Sequence, residues 1–320
     1  MVANLFPLKR RGVIPAVLFC LSLTWTFVHA QEPAKPVVFC SYNLKNWLLM
    51  QRSFGDKDAP LASKPEKEKG KVIEFIQDIH PDILGVCEIG SLNDLKEVQT
   101  RLNHAGLDLP HLEFCQGGDP TRSLGLLSKF PISARNSQTK LQYQMGAETY
   151  PMQRGILDAT VDIAPDFQVR FLGVHLKSKR PIPDADESLM RRNEAHLLRL
   201  HLDSILEKEP QAKIVSYGDF NEHRNEPAIS EIIGSRSSQS YMMDLFLRDS
   251  HGLVWTHFWD TADVYARLDY LFVSRGLRPL VDSKGTYIYT AADFDKGSDH
   301  RPIVMTLKPT PNKKRSTAKQ

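Results

Sequence analysis

The chain has 320 residues, of which 41 are Lys or Arg, 38 are Asp or Glu and four are Cys. Eight of the basic residues lie in the first eleven and the last thirteen positions, so residues 31–307 carry 33 basic and 38 acidic side chains and a net charge of −5. That balance excludes the broad basic surface of a tight, sequence-independent DNA-binding protein, although local basic patches are compatible with it.

The first 30 residues predict a signal peptide. Lys9, Arg10 and Arg11 precede an apolar stretch at 13–28, and Ala30 ends a small-residue cleavage site, which is the order typical of secretory signals. The alternative is an uncleaved membrane anchor, but the stretch falls short of the roughly 20 residues that a bilayer span needs. We therefore expect a secreted or periplasmic protein with no stable membrane insertion after cleavage.

One folded domain is predicted at 31–307, followed by a basic, disordered tail at 308–320. No internal repeat, low-complexity linker or heptad pattern divides the domain, and large sandwiches of this length form single units. The tail is rich in Pro, Lys, Ser and Thr, and nothing in it can bury a core. Cys40, Cys87 and Cys115 lie in apolar runs, so we expect buried thiols and no disulfide framework.

The first two predicted strands both end in a polar side chain. A run of β-forming residues at 37–43 ends in Asn43, and the apolar run at 83–87 is followed directly by Glu88. Short apolar runs of this kind are typical of buried strands. The residues at 50–62, between the two strands, lack such a pattern and are predicted to be a loop.

Two helices are predicted in the first third of the chain. The first begins at Ser63, with Glu66 three residues later as a capping box, and Pro81 ends it. The second begins at Ser91 and ends at Gly106, with leucine and valine at helical spacing between them.

The rest of the chain is predicted to contain mainly strands. They lie at 111–115, 123–128, 156–163, 169–175, 213–217, 268–273 and 302–307, with one long helix at 187–208. Successive strands with helices inserted at intervals indicate an α/β (α+β) protein: a two-sheet β-sandwich flanked by helices on both outer faces.

Polar or titratable residues repeatedly follow the predicted strands. They are Asn43, Glu88, His175, Asp219, Asn221 and Asp269, joined by Asp299 and His300 just before the last strand. Each of these residues alone is weak evidence, because a single Asn or Asp after a strand is usually a turn residue. Several strand ends that converge at one rim of a sheet, however, form a rigid mount for an active site.

Seven blocks of sequence resemble the endonuclease/exonuclease/phosphatase (DNase I-like) superfamily, and they occur in the family's order. The blocks are residues 41–47, 83–88, 124–132, 173–179, 217–221, 267–271 and 297–302. The first and fourth blocks resemble bacterial extracellular nucleases more than phosphoinositide phosphatases. The resemblance implies a DNase I-like four-layer sandwich and a metal-dependent phosphoric ester hydrolase.

The resemblance also implies a metal site. Glu88 would be the main metal carboxylate, with Asn43 beside it and Asp299 close by. Carboxylate and amide oxygens are hard ligands that suit Mg²⁺, with Mn²⁺ or Ca²⁺ as alternatives. The cysteines are neither clustered nor spaced for zinc.

The implied catalytic residues have separate roles. Asp219 would position and deprotonate the attacking water, and Asn221 would hold that water or a phosphate oxygen. His300, oriented by Asp269, would donate to the phosphoryl oxygen as charge builds, and His175 would contact a second oxygen. Donors aimed at developing charge stabilise the transition state electrostatically.

Other residues near these blocks are candidates for substrate binding. Arg154 and Lys177 are expected to meet substrate phosphates. Trp255, Phe258 and Trp259 form an aromatic cluster that would either stack a nucleobase or pack in the core. No apolar hairpin with an aromatic tip, of the kind used for membrane docking, is predicted.

The sequence therefore predicts a secreted, metal-dependent phosphodiester hydrolase that is an endonuclease-type nuclease acting as a monomer on nucleic acid. One alternative is a sphingomyelinase-like phosphodiesterase of lipid or small-molecule substrates, and another is a catalytically silent binding module of the same fold. The fold alone does not choose among these functions.

Overall fold

The computed structural model describes Met1 and residues 35–52, 59–183 and 185–309. The predicted signal peptide beyond Met1 and residues 310–320 of the predicted tail lie outside the described residues. Contacts divide the chain into residues 1–32 and residues 33–320, and every element below belongs to the second unit. No helix of the described part is long and apolar enough to cross a membrane.

The described residues form eighteen strands and four α-helices. The strands are β1 Val37–Trp47, β2 Met50–Gln51, β3 Leu61–Ala62, β4 Ile83–Ile89, β5 His111–Cys115, β6 Ser123–Ser128, β7 Ile132–Arg135, β8 Gln142–Met145, β9 Glu148–Pro151, β10 Leu157–Ala164, β11 Phe167–His175, β12 Ile214–Asp219, β13 Met243–Asp244, β14 His257–Trp259, β15 Val264–Ala266, β16 Asp269–Val273, β17 Val281–Ile288 and β18 Ile303–Leu307. The helices are α1 Glu66–Ile79, α2 Leu92–His104, α3 Glu187–Leu206 and α4 Pro227–Ile233.

Twelve of the strands form two six-stranded sheets. The first sheet has the order β17-β18-β1-β4-β6-β5, and the second has the order β13-β16-β12-β11-β10-β7. In the first sheet β1 runs parallel to β4 and antiparallel to β18. In the second sheet β12 runs parallel to β11 and antiparallel to β16. Both sheets are therefore mixed.

Three apolar clusters hold the layers together. One lies between the two sheets and includes Phe39, Phe171 and Tyr217. The second packs α1 and α2 on the outer face of the first sheet, and the third packs α3 and α4 on the outer face of the second sheet. The predicted sandwich with helices on both outer faces is confirmed.

The helix starts follow local sequence in one case and not in the other. Helix α2 begins directly after Ser91, as the sequence predicts, and Ser91 also caps it through a capping box with Asp94. The capping box predicted between Ser63 and Glu66 is wrong, because α1 begins at Glu66 after an extended Pro65. A residue that precedes proline avoids the helical conformation, so the chain before Pro65 cannot continue the helix back to Ser63.

Several short elements were not predicted. The region 50–62 was expected to be a loop but contains β2 and β3, and α4 and β17 were also missed. β17 is an edge strand whose residues are mostly half-buried or exposed. It therefore lacks the run of apolar residues by which a buried strand is recognised.

The three cysteines of the described residues behave as predicted. Cys40, Cys87 and Cys115 are buried and free. Burial raises the pKa of the Cys115 thiol to about 12, so the thiol stays protonated at neutral pH and is a poor nucleophile.

Tyr217 spans the gap between the two sheets. A Cβ atom added at Gly85 in β4 would lie 2.2 Å from Cε2 of Tyr217, and one added at Gly173 in β11 would lie 2.7 Å from its hydroxyl oxygen. The Tyr217 ring also packs edge-on against Phe39, with 4.9 Å between ring centroids. The two glycines therefore leave the space that this ring fills.

Gly85→Ala is expected to lower the free energy of unfolding by about 1–3 kcal/mol, the usual cost of overpacking a core. The Tyr217 ring is held between neighbouring rings and cannot move aside without disturbing them. Urea unfolding would measure the change. Gly70→Ala is the matched control, because nothing lies within 4 Å of a Cβ atom there and alanine favours the helix. An unchanged midpoint for Gly85→Ala would contradict this account.

Candidate active site

The ends of neighbouring strands bring the predicted site residues together. In the second sheet, His175 at the end of β11 pairs in register with Asp219 at the end of β12, and Asp219 pairs with Asp269 at the start of β16. The first sheet contributes Asn43 from β1 and Glu88 from β4. The predicted residues thus come from both sheets and meet at one rim of the sandwich.

Asp219 lies at the centre of this cluster. Its Oδ2 atom is 3.1 Å from Nδ2 of Asn43, 3.5 Å from Nε2 of His175 and 3.6 Å from Nε2 of His300. Asn43 Nδ2 is also 3.5 Å from Oε1 of Glu88. The Asp219 carboxylate is therefore surrounded by three nitrogen-bearing side chains and linked to Glu88 through Asn43.

Two of the site residues have unusual backbone conformations. Glu88 has φ 59°, at a break in the register between β4 and β6, and Asn221 has φ 52° just after β12. Irregularities of this kind re-aim a side chain at the end of a strand. Glu88 accepts a hydrogen bond from the Asn46 backbone N–H at 2.8 Å, and Asn221 donates to the Leu176 carbonyl at 3.0 Å.

His300 and Asp269 form a buried pair. His300 Nδ1 lies 2.8 Å from Oδ2 of Asp269, and both residues are at most 5% exposed. Burial alone would lower the pKa of His300, but the charges of Asp269 and Asp219 outweigh burial and hold the pKa well above its usual value. His300 is therefore a charged donor whose orientation is set by Asp269.

The pKa values of Asp219 and His175 also depart from their usual values, in directions that suit the positions of these residues. Burial raises the pKa of the Asp219 carboxyl, although the positive charge of His300 acts to lower it. Burial also lowers the pKa of His175, helped by the charges of Arg154, His300 and Arg122. Asp219 is thus a stronger base than an exposed carboxylate, and His175 is a neutral imidazole.

Asp299 is joined to the cluster through Ser298. The Ser298 hydroxyl donates to the Asn43 carbonyl at 2.7 Å and lies 3.5 Å from Oδ1 of Asp299. Ser298 also accepts the backbone N–H of His300 at 3.1 Å. The segment 298–300 is therefore fastened to β1 beside Asn43.

Arg154 brings positive charge to the His175 side of the site. The residue is 7% exposed, and its Nη2 atom lies 3.2 Å from Oδ2 of Asp119. Its Nε and Nη1 atoms are buried and have no hydrogen-bond partner among the described residues. Buried donors are normally satisfied, so Arg154 has donor capacity left for an anionic ligand.

Arg122 was not predicted, and Lys177 is placed differently from Arg154. Arg122 Nε donates to Oδ1 of Asn46 at 2.8 Å, and Asn46 is the residue whose N–H binds Glu88. The Lys177 ammonium instead donates to the carbonyls of Ser178 and Arg180. The structure therefore sets Arg122 beside the carboxylate site and turns Lys177 towards its own loop.

Comparison with known proteins decides the family. The model of the endonuclease/exonuclease/phosphatase family matches residues 55–300. The chain belongs to this family. Its members are generally metal-dependent phosphoester hydrolases. No curated protein shows significant sequence similarity to the chain.

Solved structures of this endonuclease/exonuclease/phosphatase fold include three informative neighbours. Truncated Caenorhabditis elegans TDP2 aligns with a TM-score of 0.55 at 18% identity, over 86% of this chain and 98% of that one. The human nocturnin catalytic domain aligns with a TM-score of 0.59 at 16% identity, over 85% and 93%. Sphingomyelinase C from Streptomyces griseocarneus aligns with a TM-score of 0.56 at 13% identity, over 86% and 100%. At these identities the likeness shows the fold alone.

The donor atoms present fit the divalent metal that is typical of the family. No group of three or more His, Cys, Asp and Glu side chains within the described ranges is arranged as a complete metal centre. Mg²⁺ does not need one, because it binds through one or two carboxylates, water and substrate phosphate. Glu88 and Asn43 supply such oxygens. The Asn43 Oδ1 atom accepts the Lys45 N–H at 3.1 Å, while Nδ2 faces Oε1 of Glu88 at 3.5 Å, so the amide would have to turn to present its oxygen beside Glu88.

An exposed hairpin that the sequence analysis did not identify stands next to the His300–Asp269 pair. Strands β14 and β15 pair antiparallel, and His257 at the start of the hairpin forms a β-bridge with His300. Trp259, Val264 and Tyr265 are 55%, 45% and 54% exposed. The hairpin was missed because its strands have three residues each and no regular apolar pattern.

Proposed function

We propose that the protein is a secreted, divalent-metal-dependent phosphodiesterase that acts on nucleic acid as an endonuclease. The observation that carries the proposal is the buried cluster in which Asp219 lies between Asn43, His175 and His300, with Glu88 joined through Asn43. Secretion rests on the signal-peptide pattern of the first 30 residues.

Asp219 is proposed to take the proton from the attacking water. Its raised pKa brings it closer to the operating pH, where a general base works best. Asn221 is held by the Leu176 carbonyl through its amide nitrogen. Its amide oxygen is therefore available to orient the same water beside Asp219.

His300 is proposed to stabilise the negative charge that develops on the phosphoryl group. Its pKa is raised by Asp269 and Asp219, so it can donate a charged hydrogen bond, and Asp269 prevents the ring from turning. His175 is neutral and can donate a second hydrogen bond from Nε2. Preorganised donors of this kind usually supply the largest part of catalysis.

Glu88 and Asn43 are the proposed metal ligands, with Asp299 close by. When bound, Mg²⁺ supplies charge neutralisation of the phosphate and polarises the scissile oxygen. Mn²⁺ and Ca²⁺ prefer the same oxygen ligands and are alternatives.

The arginines favour a substrate with more than one anionic group. Arg154 has two unpartnered buried nitrogens, and Arg122 stands beside Asn46. A polynucleotide offers a further phosphate on each side of the scissile bond, and guanidinium groups bind phosphate well. A lipid or small-molecule phosphodiester remains the second candidate, because the exposed side chains of Trp259 and Val264 lie near the site.

Hydrolysis of supercoiled plasmid tests the proposal. Nicking is expected in Mg²⁺ and not in EDTA. No nicking, with metal-dependent turnover of a small chromogenic phosphodiester, would move the substrate to lipids or small diesters. If neither the plasmid nor the chromogenic phosphodiester is hydrolysed, the alternative of a catalytically silent binding module of the same fold is favoured.

Glu88→Gln is expected to raise the Mg²⁺ concentration required for half-maximal activity by at least about tenfold, because the loss of one ligand group costs a metal site that much or more. A Mg²⁺ titration of nicking rates would measure the shift. Glu209→Gln is the control, since Glu209 is exposed in the turn that follows the C-terminal end of α3. Equal Mg²⁺ dependence in both variants would remove Glu88 from the metal site.

A further inference from the structure

The two faces of the β14–β15 hairpin are used differently. Cross-strand pairs are His257 with Ala266, Phe258 with Tyr265, and Trp259 with Val264. Successive residues of a strand point to opposite faces. His257, Trp259 and Val264 therefore share one face, and Phe258 and Tyr265 share the other.

The Phe258 face anchors the hairpin. The Phe258 and Tyr265 rings stack with 4.4 Å between centroids, and Tyr265 meets Trp255 at 4.8 Å. The guanidinium of Arg301 lies 4.1 Å from the Trp255 ring centre. The Phe258 N–H also donates to the Asp299 carbonyl at 2.9 Å. The hairpin is thus fastened to the segment that carries Asp299 and His300.

The other face, which carries Trp259, adjoins the His300–Asp269 pair. The His257 ring lies 4.6 Å from the His300 ring. Trp259 follows two residues later, about 7 Å along the strand at the usual rise per residue. Across the portion of the chain that the structure describes, the Trp259 indole has no ring, hydrogen-bond or ion-pair partner, and the residue is 55% exposed.

We propose that Trp259 stacks on a base of the nucleic-acid substrate next to the phosphate bound at His300. This inference rests on the proposed nuclease function and adds a specificity residue to it. Every nucleobase has a flat face that stacks on an aromatic side chain.

The acidic tip of the hairpin argues against insertion into a lipid bilayer. Its tip is the 3₁₀ turn Asp260–Ala262 followed by Asp263, and all four tip residues are exposed. Residues 257–266 contain no Lys or Arg. Carboxylates are costly to insert into a bilayer and are repelled by anionic lipids. A single exposed indole between a histidine and an acidic tip fits one planar ring.

Kinetics on matched oligonucleotides test the proposal with the full chain. One single-stranded DNA carries normal nucleosides, and the other carries tetrahydrofuran abasic residues at the same positions. The wild type is expected to cleave the base-bearing strand with about tenfold higher kcat/KM, a modest value for aromatic stacking. Trp259→Ala is expected to lose this preference through a higher KM, and Trp259→Phe is expected to retain most of it.

Tyr287→Ala is the control, because Tyr287 is an exposed aromatic residue on the edge strand β17. It is expected to keep the wild-type preference. Trp259→Ala kinetics that match the wild type on both strands would overturn the proposal. An equal loss on both strands would mean a structural role and would also overturn it. Sphingomyelin vesicle binding that depends on Trp259, without a base preference, would do the same.

Fluorescence separates this proposal from the proposed function. The chain has four tryptophans. Trp25 belongs to the predicted signal peptide and is left out of the protein used here, Trp47 is buried and Trp255 is covered by Arg301. A stacked base should therefore quench mainly Trp259. Thymidine 5′-monophosphate in Ca²⁺ is expected to quench the wild type and not Trp259→Ala. Quenching without DNA cleavage would contradict the nuclease function but support a base-stacking site at Trp259. DNA cleavage with neither quenching nor base preference would support the nuclease function and overturn the stacking site.

Discussion

Asp219→Asn is expected to lower kcat by about 10³-fold, within the range that a general base contributes. The amide keeps the size of the side chain and its hydrogen-bonding neighbours but cannot accept the proton of the attacking water. Because burial raises the pKa of this carboxyl, the charge is unfavourable in the folded state. The variant is therefore expected to be at least as stable as the wild type. Single-turnover rates and urea unfolding would measure the two effects.

Asp162→Asn is the matched control for Asp219→Asn. Asp162 pairs with Gln168 in register, at the end of β10 and β11 opposite to His175. Its replacement should leave kcat unchanged. Substantial turnover by Asp219→Asn, with the metal requirement intact, would assign the general base to another residue.

His300→Ala is expected to lower kcat by about 10²–10³-fold, the usual cost of removing one donor that stabilises developing charge. It also leaves Asp269 as a buried carboxylate without its partner, so some loss of stability is expected. Rates should therefore be measured at a temperature where unfolding curves show the variant to be folded. The expected change is in kcat, with KM nearly constant.

His201→Ala provides the comparison for His300→Ala. His201 also pairs with a buried aspartate, at 2.7 Å from Oδ2 of Asp158, but Asp158 is held in addition by Arg170 and lies away from the site. This variant should lose stability without losing kcat. If both histidine variants lost activity in proportion to their stability, a catalytic role for His300 would be refuted.

Much of the fold was predictable because its central strands are continuous apolar runs. β5 and β6 have the predicted bounds, and β4, β12 and β16 differ by at most two residues at either end. Such strands are buried on both faces and carry a strong sequence signal. The same signal marks where each strand ends, which is why Glu88, Asp219 and Asp269 stood out.

The features that the sequence did not predict depend on contacts between distant parts of the chain. Arg122 precedes β6, whose first residue, Ser123, pairs with Ile89 beyond Glu88. Arg122 could have been selected only if the pairing of β4 with β6 were known. Likewise, His257 reaches His300 through one β-bridge, and short exposed strands give no periodic pattern. The site residues themselves remain predictions until the variants are assayed.

The ring of Tyr217, which lies between Gly85 and Gly173, separates the two sheets that carry the proposed site residues. Strand β4 carries Gly85 and Glu88, and β12 carries Tyr217 and Asp219. The thickness of the sandwich at this ring therefore sets the distance between the proposed metal ligand Glu88 and the proposed base Asp219. Neither sheet alone carries all of the proposed site residues. Substitutions in this part of the core are therefore expected to change the proposed chemistry as well as the stability of the fold.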